Sequence, residues 1–76
     1  TTFSYSIPKI DRVIINVFDL EGRIVKTLLD NKQSPGNKSI SWDATNHLGN
    51  KVSSGIYFYR METESFSETK KMVLLK

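Results

Sequence analysis

From Thr2 to Ile7 the chain alternates, with Phe3, Tyr5 and Ile7 on one side and Thr2, Ser4 and Ser6 on the other. A period of two sends successive side chains to opposite faces of a strand, so this run predicts a half-buried strand that Pro8 ends. Arg12 to Asp19 predicts the next, with Val13, Ile15 and Val17 forming the cleaner apolar face and Ile14, Asn16 and Phe18 the other. Leu20-Glu21-Gly22-Arg23 reads as a turn, because glycine takes a positive φ at little steric cost. Ile24 to Leu29 then returns as a third strand. A helix competes over Arg23 to Asp30, since Ile24, Val25, Leu28 and Leu29 also fit helical spacing. The shortness of the segment and the glycine turn before it favour the strand.

Asn31 to Asn37 carries Pro35-Gly36 among polar residues, the signature of a tight turn. Lys38 to Asp43 predicts a fourth strand with Ile40 and Trp42 inward. A polar loop follows, and Gly55 opens a fifth strand, Ile56 to Glu62, in which Ile56-Tyr57-Phe58-Tyr59 is dense in strand-favouring residues. Thr63 to Ser67 turns, and Glu68 to Leu75 is the last strand, expected between layers or beside the first. The spacing Gly55-x-Tyr57-x-Tyr59 resembles a tyrosine corner, in which a Tyr hydroxyl bonds back to upstream backbone two residues before a core position. Tyr59 would fill that core position. The expected core is therefore Val13, Ile15, Val17, Trp42, Tyr57 and Tyr59. Short strands, frequent turns and no convincing helix predict an all-β fold, a small antiparallel Ig-like β-sandwich of about seven short strands.

At 76 residues the chain is one domain, 1–76, because a chain this short buries only roughly 60% of its unfolded surface and cannot hold two cores. The absence of cysteine excludes disulfides and thiolate metal sites. No apolar run approaches the roughly 18 residues of a membrane span, so no membrane insertion is expected. A net charge of +3 raises the question of nucleic acid. The cations are scattered among Asp11, Asp19, Glu21, Asp30 and Asp43, with only Lys70 and Lys71 adjacent, which reads as solvated strand faces and not as a nucleic-acid site.

Candidate chemistry is thin. Asp43, Asn46 and His47 could be drawn as an ion site. Calcium loops supply several carboxylates and zinc three or four His or Cys ligands, so Asp43 and Asn46 read better as turn residues accepting backbone N–H groups, with Leu48-Gly49-Asn50 a second tight turn. Ser53 and Ser54 lack a positioned base and oxyanion donors, and are expected to satisfy backbone groups where the fifth strand starts. No catalysis, cofactor or metal is expected. Phe58 beside Phe18 or Ile14 is the candidate for an exposed apolar patch. A carbohydrate-binding role would instead need Trp42, Tyr57 and Phe58 in an exposed row.

The run WDATNHLGNKVSSGIYFYRMETESFSETKKMVLLK resembles the C-terminal sorting domain (type A) of the type IX secretion system, a family related to the Ig-like domain of flagellar hook-capping proteins. Its pattern is Trp-Asp, a loop with Gly, V-x-S-G-x-Y-F-Y, a short hairpin and a Lys-rich apolar closing strand. FSYSIP, VIINVFDLEGRIVKTL and PGNKSISWD resemble the earlier strands. The resemblance implies a module that ends a larger exported protein, follows a covalently linked N-terminal passenger, is read by the outer-membrane translocon, and is removed by a surface processing peptidase. Gly55, Tyr57, Lys70, Lys71 and Lys76 match the signal elements, and the implied location is secreted or cell-surface, by way of the periplasm. The Asn-Pro-rich lead that usually precedes the first strand is absent, so the cleavage region is not covered. Two other roles are open on the residues alone: a structural Ig-like spacer packed against a neighbouring extracellular domain or acting as a hook cap does, and the carbohydrate module.

Overall fold

The computed structural model describes residues 1–75. Six strands follow in order, β1 (Thr2–Ile7), β2 (Asp11–Phe18), β3 (Ile24–Gln33), β4 (Gly36–Ser41), β5 (Gly55–Glu62) and β6 (Ser67–Leu74). They form an all-β, antiparallel sandwich of two unequal sheets, β1-β4 against β3-β2-β5-β6. The sandwich class is as the sequence pattern predicts. Among the described residues six strands stand where about seven were expected, and the long loop adds only an isolated bridge between Thr45 and Lys51.

The alternating runs set the inner faces. Phe3 and Ile7 from β1, Val13, Ile15 and Val17 from β2, and Tyr57 and Met61 from β5 are all buried. Two connected clusters result. One gathers Phe3, Val17, Trp42, Tyr57 and Leu74, the other Ile7, Val13, Ile15 and Met61. Trp42 lies one residue past β4 and is 2% exposed. Its N–H donates to the Thr1 carbonyl at 2.8 Å, and the Thr1 amino group donates to the Trp42 carbonyl at 3.2 Å. Tyr59 also faces inward, stacked on Phe3 with centroids 4.0 Å apart. It stays half-buried, however, because the two-stranded sheet does not cover all of β5 and β6. Its expected place in the core becomes a place at the core's margin.

β3 runs four residues beyond its expected end and is doubly bulged. Ile15 opposes Leu29 while Asn16 opposes Thr27, and Val17 opposes Lys26 while Phe18 opposes Ile24. Leu28 and Val25 are thus the extra residues, and both pack on the Trp42 cluster. Each bulge inserts one residue and resets the inward face. That is why the apolar spacing here imitates a helix. The Ser34-Pro35 link does not close a hairpin; it carries the chain from the four-stranded sheet to the two-stranded one.

The last strand is not between layers or beside β1, as expected. β6 pairs with β5 and forms an edge of the larger sheet. The Thr63–Ser67 turn ties it there, and Glu68 and Lys70, opposite the inward Met61 and Tyr59, are charges that a closed interlayer position would strip of water.

Candidate functional site

The Gly55–Tyr59 segment is anchored by strand pairing and by one side-chain bond. Gly55 starts β5 opposite Leu74, and the Tyr57 hydroxyl donates to the Ser53 carbonyl at 2.7 Å. This is the tyrosine-corner bond that the spacing anticipates, and Ser53 serves through its carbonyl. The Tyr57 ring lies edge-on to Trp42 at 5.4 Å. Buried there, it shapes the segment and offers a partner almost no ring surface.

Lys70 and Lys71 do not form one basic patch. Adjacent strand residues point to opposite faces: Lys70 sits opposite Tyr59 on the inner side, and Lys71 opposite Phe58 on the outer side. Lys70 is paired with Glu68 at 3.2 Å. The hydrogen bond and charge of Glu68 hold the Lys70 ammonium above its ordinary pKa. Lys76 lies outside the described residues.

The loop from Asp43 to Ser54 is an ordered structure built on side-chain anchors. The Trp42 Nε1 donates to the Thr45 carbonyl at 2.9 Å. The Asp43 carboxylate accepts from the Thr45 hydroxyl and backbone N–H, and Lys26 reaches both Thr45 Oγ1, at 2.8 Å, and Asp43, at 3.6 Å. The Thr45 hydroxyl foremost, with Lys26 beside it, lowers the Asp43 pKa. Asn46 accepts from the N–H groups of Leu48 and Asn50. Both Asp43 and Asn46 are therefore the turn residues that their positions suggest. The His47 backbone N–H donates to the Val25 carbonyl at 3.2 Å, laying the loop across the edge of β3. Among the described residues no three of His, Asp or Glu gather to hold a metal.

On the outer face of the larger sheet, Ile24, Phe18 and Phe58 lie in one cross-strand row, and Ile56 faces Val73 beside it. The expected apolar patch exists there, with Phe58 beside Phe18. Trp42 and Tyr57 are buried on the other side of the sheet, so the exposed aromatic row needed for carbohydrate is not formed. A groove of about 560 Å³ opens between the sheets, lined by Tyr5, Lys38, Tyr59, Met61, Glu68 and Lys70.

Asp11 is a structural anchor that the pattern does not reveal. Buried at 7% exposure, its carboxylate accepts from the Glu64 N–H at 3.3 Å and the Ser65 hydroxyl at 3.4 Å. It clasps the β5–β6 turn to the start of β2. Those partners lie more than fifty positions away, and no local signal announces them.

Unequal antiparallel sheets, a buried tryptophan and a tyrosine corner define a small Ig-like sandwich. The FlgD Ig-like domain family matches residues 2–67, and the chain belongs to that family. No curated protein and no solved structure matches it.

Proposed function

We propose that this Ig-like module is a non-catalytic sorting label, directing a covalently attached passenger through the type IX outer-membrane translocon to the cell surface by way of the periplasm. A surface peptidase would then remove it. The observation that carries the reading is the placement of β6. The strand that resembles the closing signal of type IX sorting domains lies at a sheet edge, and its residues Ser67 to Lys71 are all exposed. A translocon component could reach it without unfolding the module. Membership in an Ig-like family supports the coarser part of the proposal, a structural module that works by contact.

The test fuses residues 1–76 to the C-terminus of a fluorescent reporter carrying an ordinary export signal, in a host with the type IX system. Surface delivery that disappears when residues 70–76 are deleted is the expected result. Reporter retained in the periplasm by both forms, with the domain folded, overturns sorting.

A second reading has its own observation. The outer apolar row of Phe18, Ile24, Phe58, Ile56 and Val73 is suited to packing against a neighbouring domain. A structural spacer would use that face, and retention of both reporter forms would favour it.

A further inference from the structure

The smaller sheet holds two strands, so each has a side without a partner strand among the described residues. The geometry points to the outer side of β1 as a docking edge for an extended strand of a partner protein. This deepens the proposal that the module is recognised by contact, and it places a contact on the first strand in addition to the last.

The main chain defines the edge. Thr1 and Trp42 exchange both backbone bonds. Antiparallel ladders alternate, so the next pair, Thr2 with Ser41, turns its N–H and C=O groups away from each other. The register runs unshifted from Thr2↔Ser41 to Ile7↔Gly36. Thr2, Ser4 and Ser6 therefore point their N–H and C=O groups outward in a straight row.

The other three edges are guarded. β6 carries Glu68, Lys70 and Lys71, two of them turned inward, a pattern that resists strand addition. β3 is bent by two bulges and crossed by the loop at Val25. β4 is bracketed by the Ser34-Pro35 link to β3 and by Lys26 reaching from β3 to Asp43 and Thr45, and it carries Lys38. β1 alone has no charged residue.

There is also room for the side chains. Phe3 stacks on Tyr59 and shares a cluster with Leu74, so β1 lies over β5 and β6, and the 560 Å³ groove opens between β1 and β4 on one side and β5 and β6 on the other. An added strand would lay every second side chain into that groove. Apolar ones would cover Tyr59, and an acidic one would meet Lys38, whose ammonium donates to the neutral Ser34 hydroxyl at 3.2 Å, while Lys70 stays paired with Glu68. The occupant that fits is an extended segment alternating apolar and small polar residues, with an acid among those facing inward.

The experiment records amide hydrogen exchange by NMR on the 15N-labelled 76-residue chain, titrated with the blocked peptide acetyl-Ser-Val-Ser-Glu-Ser-Val-Ser-amide. Exchange at Thr2, Ser4 and Ser6 is expected to slow by about tenfold or more, with β6 unaffected. A peptide with Lys for Glu should protect less. Ser4→Pro removes one outward N–H and leaves the ladder to β4 intact, so protection should vanish; N-methylation of Ser4 by chemical synthesis does the same if the proline variant fails to fold. Protection on β6 or β3, or none at millimolar peptide, overturns the proposal. So does protection that rises with protein concentration alone, which would make a second copy the occupant. Protection present before peptide in a form extended upstream of Thr1 would make the chain its own occupant and overturn it likewise. Peptide binding without surface delivery of the reporter would sink sorting and leave the edge standing; delivery without binding would do the reverse.

Discussion

The same five-residue turn is built twice, in very different settings. In Asp19–Arg23 the first residue's N–H donates to the fifth carbonyl at 3.0 Å, and the Gly22 N–H donates back to Asp19 at 3.0 Å. Asn46–Asn50 repeats both bonds, at 2.9 and 3.0 Å. In each, the first side chain accepts from the third and fifth N–H groups, and the glycine has φ +82°. The first turn joins two paired strands, β2 and β3, whose ladder fixes its ends. The second has no flanking strands, only the Thr45–Lys51 bridge, a Val52-to-Ala44 bond and the anchors around Thr45. Local sequence specifies such a turn; what holds it in place must come from elsewhere. For the second turn that support is Trp42.

Removing Trp42 is thus the strongest way to separate the two. Trp42→Ala should cost about 3 to 5 kcal/mol, for the lost burial and the cavity. That is comparable to the whole stability expected at roughly 0.05–0.15 kcal/mol per residue. Denaturant unfolding measures it, and an unchanged midpoint would refute the core placement. Trp42→Phe keeps much of the apolar volume and loses the Nε1 donor to Thr45, so its cost should fall between. Amide exchange should then rise around Asn46 and stay low around Asp19. Equal loosening of both turns would mean that the second is not held by Trp42.

These features differ in how far the chain discloses them. β1 follows from strict alternation, β2 from the cleaner of its two faces, β5 from its density of strand-favouring residues, and the tyrosine corner from the spacing of Gly55 and Tyr57. Both glycine turns were legible, at Leu20–Arg23 and Leu48–Asn50, but their likeness was not, because Asp19 reads as the end of a strand and its side-chain bonds to the turn appear only in the structure. β3 was half legible, because its bulges break the period of two that identifies a strand. The position of β6 and the groove between the sheets were not. They depend on how many strands each sheet receives, which no segment encodes by itself. The opposite facing of Lys70 and Lys71 follows from β6 being a strand, yet a pair of adjacent lysines reads in sequence as one site.

A smaller effect tests whether the two turns are truly alike. At Gly22 and Gly49 an added Cβ would meet nothing within 4 Å, so substitution by alanine carries only the penalty of a left-handed backbone, about 1–2 kcal/mol. Gly22→Ala and Gly49→Ala should shift the unfolding midpoint by similar amounts. A much milder Gly49→Ala would show that the second turn relaxes where the first, clamped by β2 and β3, does not.

The smallest effect is electrostatic and should appear in one turn only. The Asp19 pKa lies below its usual value, chiefly through the Arg23 backbone N–H, with the Glu21 N–H and the Arg23 side chain adding to it; Asn46 makes the same backbone bonds without a charge. A carboxyl that releases its proton more readily when folded stabilises the fold fully above the unfolded carboxylate range, about pH 3.9 for Asp. That contribution fades as pH falls through the lower folded value. Asp43, held down by Thr45 and Lys26, acts in the same direction. Asp19→Asn should therefore flatten the acid limb of a stability-against-pH curve and bring the first turn closer to the second. The side chain is half-buried at the surface and still screened by water, so the change will be small and should shrink further in salt. An Asp19→Asn protein whose acid limb matches that of the parent would show that Asp19 works through its hydrogen-bond geometry alone.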